Sequence, residues 1–229
     1  MLVNVGAILS EKLAINYLGQ ILVLLMFAVF LVIYIEKHEL TRVVGLSKIS
    51  FYEVKKNLFY LPLFMIVLAN GVFFYDRTIA LKDIILSIVY MILVAFLEEL
   101  LFRGLLFKSI ERDRRTKIAI LITGLTFGFG HIINLLNGYI VINQIIQIVM
   151  ATLIGIILSV LFVRTKSIVP GIIFHLFFNT VSILSVNVTV LCDYISASII
   201  ILIALIYLLY LIKTMNKIKI SNSSTNTNF

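Results

Sequence analysis

The sequence predicts an all-α, polytopic transmembrane bundle of about seven spans, within a range of six to eight, and three observations predict it. First, 62% of the 229 residues are hydrophobic and 13% are charged, with a mean hydropathy of +1.14. A soluble domain of this size carries about 25% charge, so most of this surface has to face lipid. Second, the apolar residues fall in runs close to the ~20 residues that a spanning helix needs. Third, the runs are continuous instead of alternating, which argues against a closed β-barrel. Backbone in hydrocarbon must satisfy its own hydrogen bonds, and helices do so within one segment.

Taken in order, the expected spans are 15–35, 58–75, 84–107, 117–134, 141–163, 168–188 and 192–212. Glu11 and Lys12 precede the first span, the run after them is too long for a signal-peptide core, and no small-residue cleavage site ends it, so a cleaved leader is not expected. The second span is short and begins near Pro62, and the sixth opens at Pro170. Proline is tolerated in a first helical turn, where its missing N–H costs nothing. The spans make residues 1–212 a single transmembrane domain. Residues 213–229 turn polar and read as a disordered cytosolic tail.

The net charge of +8 does not indicate a nucleic-acid partner, because the cations sit in short clusters between apolar runs. One set of connections holds Lys37, Arg42, Lys48, Lys55 and Lys56, then Lys108, Arg112, Arg114, Arg115 and Lys117, then Arg164 and Lys166, then Lys213, Lys217 and Lys219. The opposite set holds Lys12, Arg77 and Lys82. The positive-inside rule then puts the C-terminus in the cytosol and the N-terminus outside. Cys192 is the one cysteine, which excludes an intrachain disulfide.

Against this apolar background a few residues stand out. The third span contains Glu98, Glu99 and Arg103, and a charge at mid-bilayer costs roughly 2.5–3.5 kcal/mol. Glu99 and Arg103 are four apart with the acid first, the favourable order for a helical ion pair. Glu98 points about 100° away around the helix and needs another partner or a task. The fourth span carries Gly124 and Gly128, a face that allows close helix approach, and Phe127 one turn before His131. The sixth carries His175 and Asn179 on one stripe. Each feature has a structural reading: an ion pair, a packing histidine, a hydrogen-bonded His–Asn pair. Depth joins them. At 1.5 Å per residue, Glu98 lies roughly 14 Å, His175 roughly 10 Å, Asn179 roughly 16 Å and His131 roughly 20 Å from the cytosolic ends of their spans. These depths overlap, so the four side chains are expected around one cavity opening toward the cytosol.

A glutamate beside histidine in a low-dielectric pocket suits proton abstraction from water, and histidine and asparagine can donate to a developing oxyanion. Glu98 would activate water with His131 helping to position it, while His175 and Asn179 would stabilise the tetrahedral intermediate of amide hydrolysis. Alternatively, Glu98, His131 and His175 could hold Zn²⁺ with water in the open position. These residues leave both chemistries open. No His-Glu-x-x-His helix and no serine nucleophile elbow is present.

Glu98-Glu99-x-x-x-Arg103, Phe127-x-x-x-His131 and His175-x-x-x-Asn179, in this order and each inside an apolar span, resemble the three motifs of the CAAX-processing protease and bacteriocin-processing or self-immunity family (CPBP, or Abi) of intramembrane endopeptidases. The resemblance covers about residues 90–180, within an expected catalytic core of about 84–188. It implies an all-helical fold with the site sunk in the membrane. It also implies cleavage of a peptide bond in a lipidated or membrane-associated protein, a bacteriocin or a signalling peptide. Eukaryotic members remove the last three residues of prenylated proteins, and bacterial members are associated with bacteriocin self-immunity, peptide export or signal-peptide maturation. The family is usually labelled metalloprotease, and a metal-free glutamate mechanism has also been proposed for it. Carried over by position, Glu98 is the base and His131 its partner. His175 and Asn179 are the oxyanion donors, and Glu99 and Arg103 support them with Phe127. The expected partners are a peptide or lipidated protein and membrane lipid, and the expected location is a bacterial plasma membrane. The competing expectation is a non-catalytic membrane protein that confers bacteriocin immunity or regulates a membrane sensor. A transporter fits less well, because no internal repeat is visible.

Overall fold

Hydrocarbon offers the backbone no water, and the chain answers by folding as helix nearly throughout. The computed structural model describes residues 2–46, 60–71, 78–137, 140–185 and 190–225. The helices are α1 (Leu2–Leu13), α2 (Leu18–Lys37), α3 (Leu61–Ala69), α4 (Leu81–Asp113), α5 (Thr116–Gly130), α6 (Val141–Thr165), α7 (Val169–Leu184) and α8 (Val190–Thr225). A 3₁₀ segment, His131–Asn137, continues α5.

Among the described residues five helices are long and apolar enough to cross a membrane: α2, α4, α5 with its 3₁₀ extension to Leu135, α6, and α8 over Val190–Thr214. The protein is an integral membrane protein built as an all-helical bundle. Two of the seven expected spans come out shorter. Residues 58–75 supply the nine-residue α3, and 168–188 supply the 16-residue α7, roughly 14 and 24 Å long against a hydrocarbon core of about 30 Å. Pro62 and Pro170 each lie in the first turn of their helix, as expected. Helix α1 was not expected. It forms a hairpin with α2 that satisfies its buried Ser10, which accepts the Gly19 N–H at 2.7 Å and donates to Gln20. The last helix continues to Thr225 and so overlaps the stretch expected as a tail. Lys48, Lys55, Lys56, Arg77 and residues 186–188 and 226–229 lie outside the described residues.

Helix α4 is 33 residues, roughly 50 Å, so it tilts or emerges from the bilayer. Its polar end carries a Lys108–Glu111 ion pair at 2.8 Å. Between Leu100 and Phe107 its hydrogen bonding widens to the i→i+5 pattern of a π-helix, a form that is rare and concentrated at functional sites.

Helices α5 and α6 cross closely at glycines. A Cβ on Gly124 would lie 2.9 Å from the Ile156 backbone nitrogen, and one on Gly128 would lie 2.9 Å from the Ile148 carbonyl oxygen. This is the close approach that the Gly124/Gly128 spacing predicts. Helix α7 packs on α4, α8 packs on α6 and α3, and α2 packs on α4. Ile35, Leu100, Phe107, Ile157 and Ile168 are buried at the centre, and Met26, Phe30, Leu202 and Leu209 are exposed on the outside. Lipid is as apolar as leucine, so the bundle is held by close packing and interhelical polar contacts more than by the hydrophobic effect.

Candidate active site

Four helices converge on the polar residues. From α4 come Glu98, Glu99 and Arg103. Phe127 lies near the end of α5, and His131 opens the 3₁₀ segment that follows. His175 and Asn179 lie on α7, and α6 brings Gln147 and the Gly155 carbonyl. Glu98, Phe127, His131, His175 and Asn179 line a cavity of about 130 Å³, closed on other sides by Gln147, Ala151, Ile154 and Phe178. At about 30 Å³ per water that space holds a few waters or one peptide group.

His175 is buried between two carboxylates. Its Nδ1 lies 3.5 Å from Glu98 Oε2, and its Nε2 lies 3.1 Å from Glu99 Oε1. The second approach is close but misaligned, since Nε2 has no geometrically satisfactory hydrogen bond among the described residues. It is a close polar contact without hydrogen-bond geometry. Both ring nitrogens thus lie beside acids.

The two glutamates differ in access. The Glu98 side chain is 28% exposed and reaches the cavity, whereas Glu99 is 2% exposed. Glu99 Oε1 takes a hydrogen bond from Arg103 Nη1 at 2.7 Å. Arg103, completely buried, donates Nη2 to the Gly155 carbonyl at 3.1 Å. The Arg103 guanidinium also lies 4.8 Å from the Phe127 ring centroid, a cation–π contact strengthened by desolvation. Phe127 meets His131 at 5.6 Å, His175 at 5.3 Å and Phe102 at 5.0 Å between centroids, all edge-on. It is the hub on which both imidazoles rest.

Sequence reasoning did not single out Gly171, Gly155, Gln147 or Asn134. A Cβ at Gly171 would collide with the Glu99 carboxylate, so a glycine is what lets α7 come down onto the ion pair. Gln147 Nε2 lies 3.3 Å from His131 Nδ1, and Asn134 Nδ2 donates to Gln147 Oε1 at 3.2 Å. The signal for Gln147 was present as an amide in an apolar run, three residues after the fully buried Gln144.

Among the described residues no group of three His, Cys, Asp or Glu side chains could hold an ion. The ring nitrogens of His175 face Glu98 and Glu99, and Nδ1 of His131 faces an amide. The arrangement therefore does not fit the Zn²⁺ set of Glu98, His131 and His175, and no step is routed through a metal.

No curated protein and no solved structure matches the chain. A match to a family of CAAX-type intramembrane proteases supports an intramembrane endopeptidase in general terms. Residues 80–181, the stretch that carries Glu98, His131, His175 and Asn179, match the family described as type II CAAX prenyl endopeptidase Rce1-like.

Proposed function

We propose that this protein hydrolyses a peptide bond of a membrane-held substrate, such as a lipidated protein or a peptide that leaves the ribosome with a hydrophobic leader. The observation that carries the reading is the difference in access between adjacent acids: Glu98 faces a wet-sized cavity shared with His131 and Asn179, and Glu99 does not. Glu98 takes the proton of a cavity water, which then attacks the scissile carbonyl, and Glu98 returns that proton to the amine nitrogen as the C–N bond breaks. Asn179 and His131 donate to the oxygen that becomes an oxyanion. His175 was expected as an oxyanion donor, and in this reading it instead steadies Glu98, because each of its ring nitrogens is beside a carboxylate. Glu99, Arg103 and Phe127 hold the frame. The basic connections support an orientation with the C-terminus in the cytosol.

The test uses purified protein in nanodiscs and a farnesylated peptide with a C-terminal CAAX sequence. Mass spectrometry reads release of the terminal tripeptide, and an unprenylated bacteriocin-type leader peptide serves as the second probe. Wild type is expected to cleave at least one probe. Glu98→Gln, nearly isosteric, is expected to lose about 10²–10⁴-fold in rate, the range of general-base catalysis. Cleavage at the wild-type rate by a folded Glu98→Gln protein would remove Glu98 from the role of base.

A further inference from the structure

His131 enters the cavity through a chain of two amides. Asn134 and His131 are three residues apart on a 3₁₀ segment, where side chains at i and i+3 eclipse one another. Both therefore reach the same side chain across the gap, Gln147 on α6. Asn134 Nδ2 donates to Gln147 Oε1 at 3.2 Å, and in this pairing the Gln147 amide turns its nitrogen away from Asn134. Its nitrogen is then left facing His131 Nδ1 at 3.3 Å. An amide nitrogen can donate but has no lone pair to accept with. Nδ1 must accept, and a neutral imidazole with an accepting Nδ1 carries its proton on Nε2. Phe127, edge-on to the ring at 5.6 Å, restrains the ring plane.

We infer that Gln147, oriented by Asn134, is a positioning residue that holds His131 in the Nε2–H tautomer, so that His131 meets the cavity as a hydrogen-bond donor. The consequence for catalysis rests on the proposed hydrolysis: a donor at this place suits the oxyanion or the oxygen of the attacking water. The same tautomer has no Nε2 lone pair to give a metal ion, which agrees with the poor fit of the site to zinc.

The experiment is ¹⁵N NMR of the imidazole nitrogens in protein labelled at histidine and held in nanodiscs. The chain has three histidines, His38, His131 and His175, and His131→Gln identifies the signals to be read. In wild type near neutral pH the expected pattern is a protonated Nε2 and a bare Nδ1. Gln147→Met removes the donor, and the His131 signals are expected to move toward a mixture of tautomers. Gln147→Glu offers only acceptors, and the proton is expected to shift to Nδ1. A wild-type spectrum with the proton on Nδ1 overturns the inference, as do His131 signals unchanged in both variants. The wild-type spectrum decides by itself if a variant does not fold. Tripeptide release is measured on the same samples. Wild type that shows the Nε2–H pattern yet cleaves neither peptide contradicts the proposed reaction and supports the tautomer inference.

Discussion

Adjacent residues on α4 sit in two different surroundings. On one side, Glu99 and Arg103 are dry, paired at 2.7 Å, and backed by the Gly155 carbonyl and the Phe127 ring. On the other, Glu98 is partly exposed in a cavity lined with imidazole and amide groups. Two identical side chains one residue apart are thus a structural strut and a candidate base. The comparison teaches that an intramembrane carboxylate takes its role from what surrounds it. Paired with an arginine it is neutralised and fixed, and facing water it is available to take a proton. His175 touches both sides and couples them.

The dry side can be broken first and most severely. Arg103→Ala leaves Glu99 buried without its cation, which typically costs about 3–5 kcal/mol. Abundance in membranes and melting temperature in detergent are expected to fall sharply, and unchanged melting would show that the pair is dispensable. A smaller effect is expected where the two sides meet. Gly171→Ala puts a methyl where the Glu99 carboxylate sits, and overpacking of this kind costs about 1–3 kcal/mol. Moderate destabilisation with a loss of peptide release is expected, since Glu99 and His175 would be displaced together. A fully stable and active Gly171→Ala protein would mean that α7 does not bear on the ion pair. The smallest effect lies beyond the site. Arg112 and Asp113 form an ion pair at 3.1 Å but are largely exposed, and such pairs are screened and weak. Asp113→Asn is expected to leave melting and cleavage at wild-type values, and a clear change in either would point to an unsuspected role for this end of α4.

The long helices were legible because hydropathy and length report directly on lipid contact: 15–35 became Leu18–Lys37 and 141–163 became Val141–Thr165. Helix α1 was not legible, because Asn4, Ser10, Glu11 and Lys12 interrupt its apolar pattern; Asn4, Glu11 and Lys12 are exposed, and Ser10 finds its partners on α2. The short α3 and α7 were read as full spans because the apolar runs in the sequence are longer than these helices, with residues 58–59, 72–75 and 186–188 lying outside the described residues. Within the site, Glu98, His131, His175 and Asn179 could be picked out because polar groups in a span need partners, and the cavity gathers all four. The widened turn over Leu100–Phe107 has no sequence marker, since a π-turn uses the same residues as an α-turn. Gln147 and Asn134 escaped notice because an amide is uncharged and cheap enough to bury that it does not stand out as a glutamate does.

The division of labour between Glu98 and Glu99 is tested most directly by measuring melting temperature and tripeptide release together for Glu98→Gln and Glu99→Gln in the same nanodiscs. The expected result is a crossed pattern. Glu98→Gln melts like wild type and does not cleave, while Glu99→Gln melts early because Arg103 loses its anion. Cleavage retained by Glu98→Gln, or wild-type melting by Glu99→Gln, would contradict it.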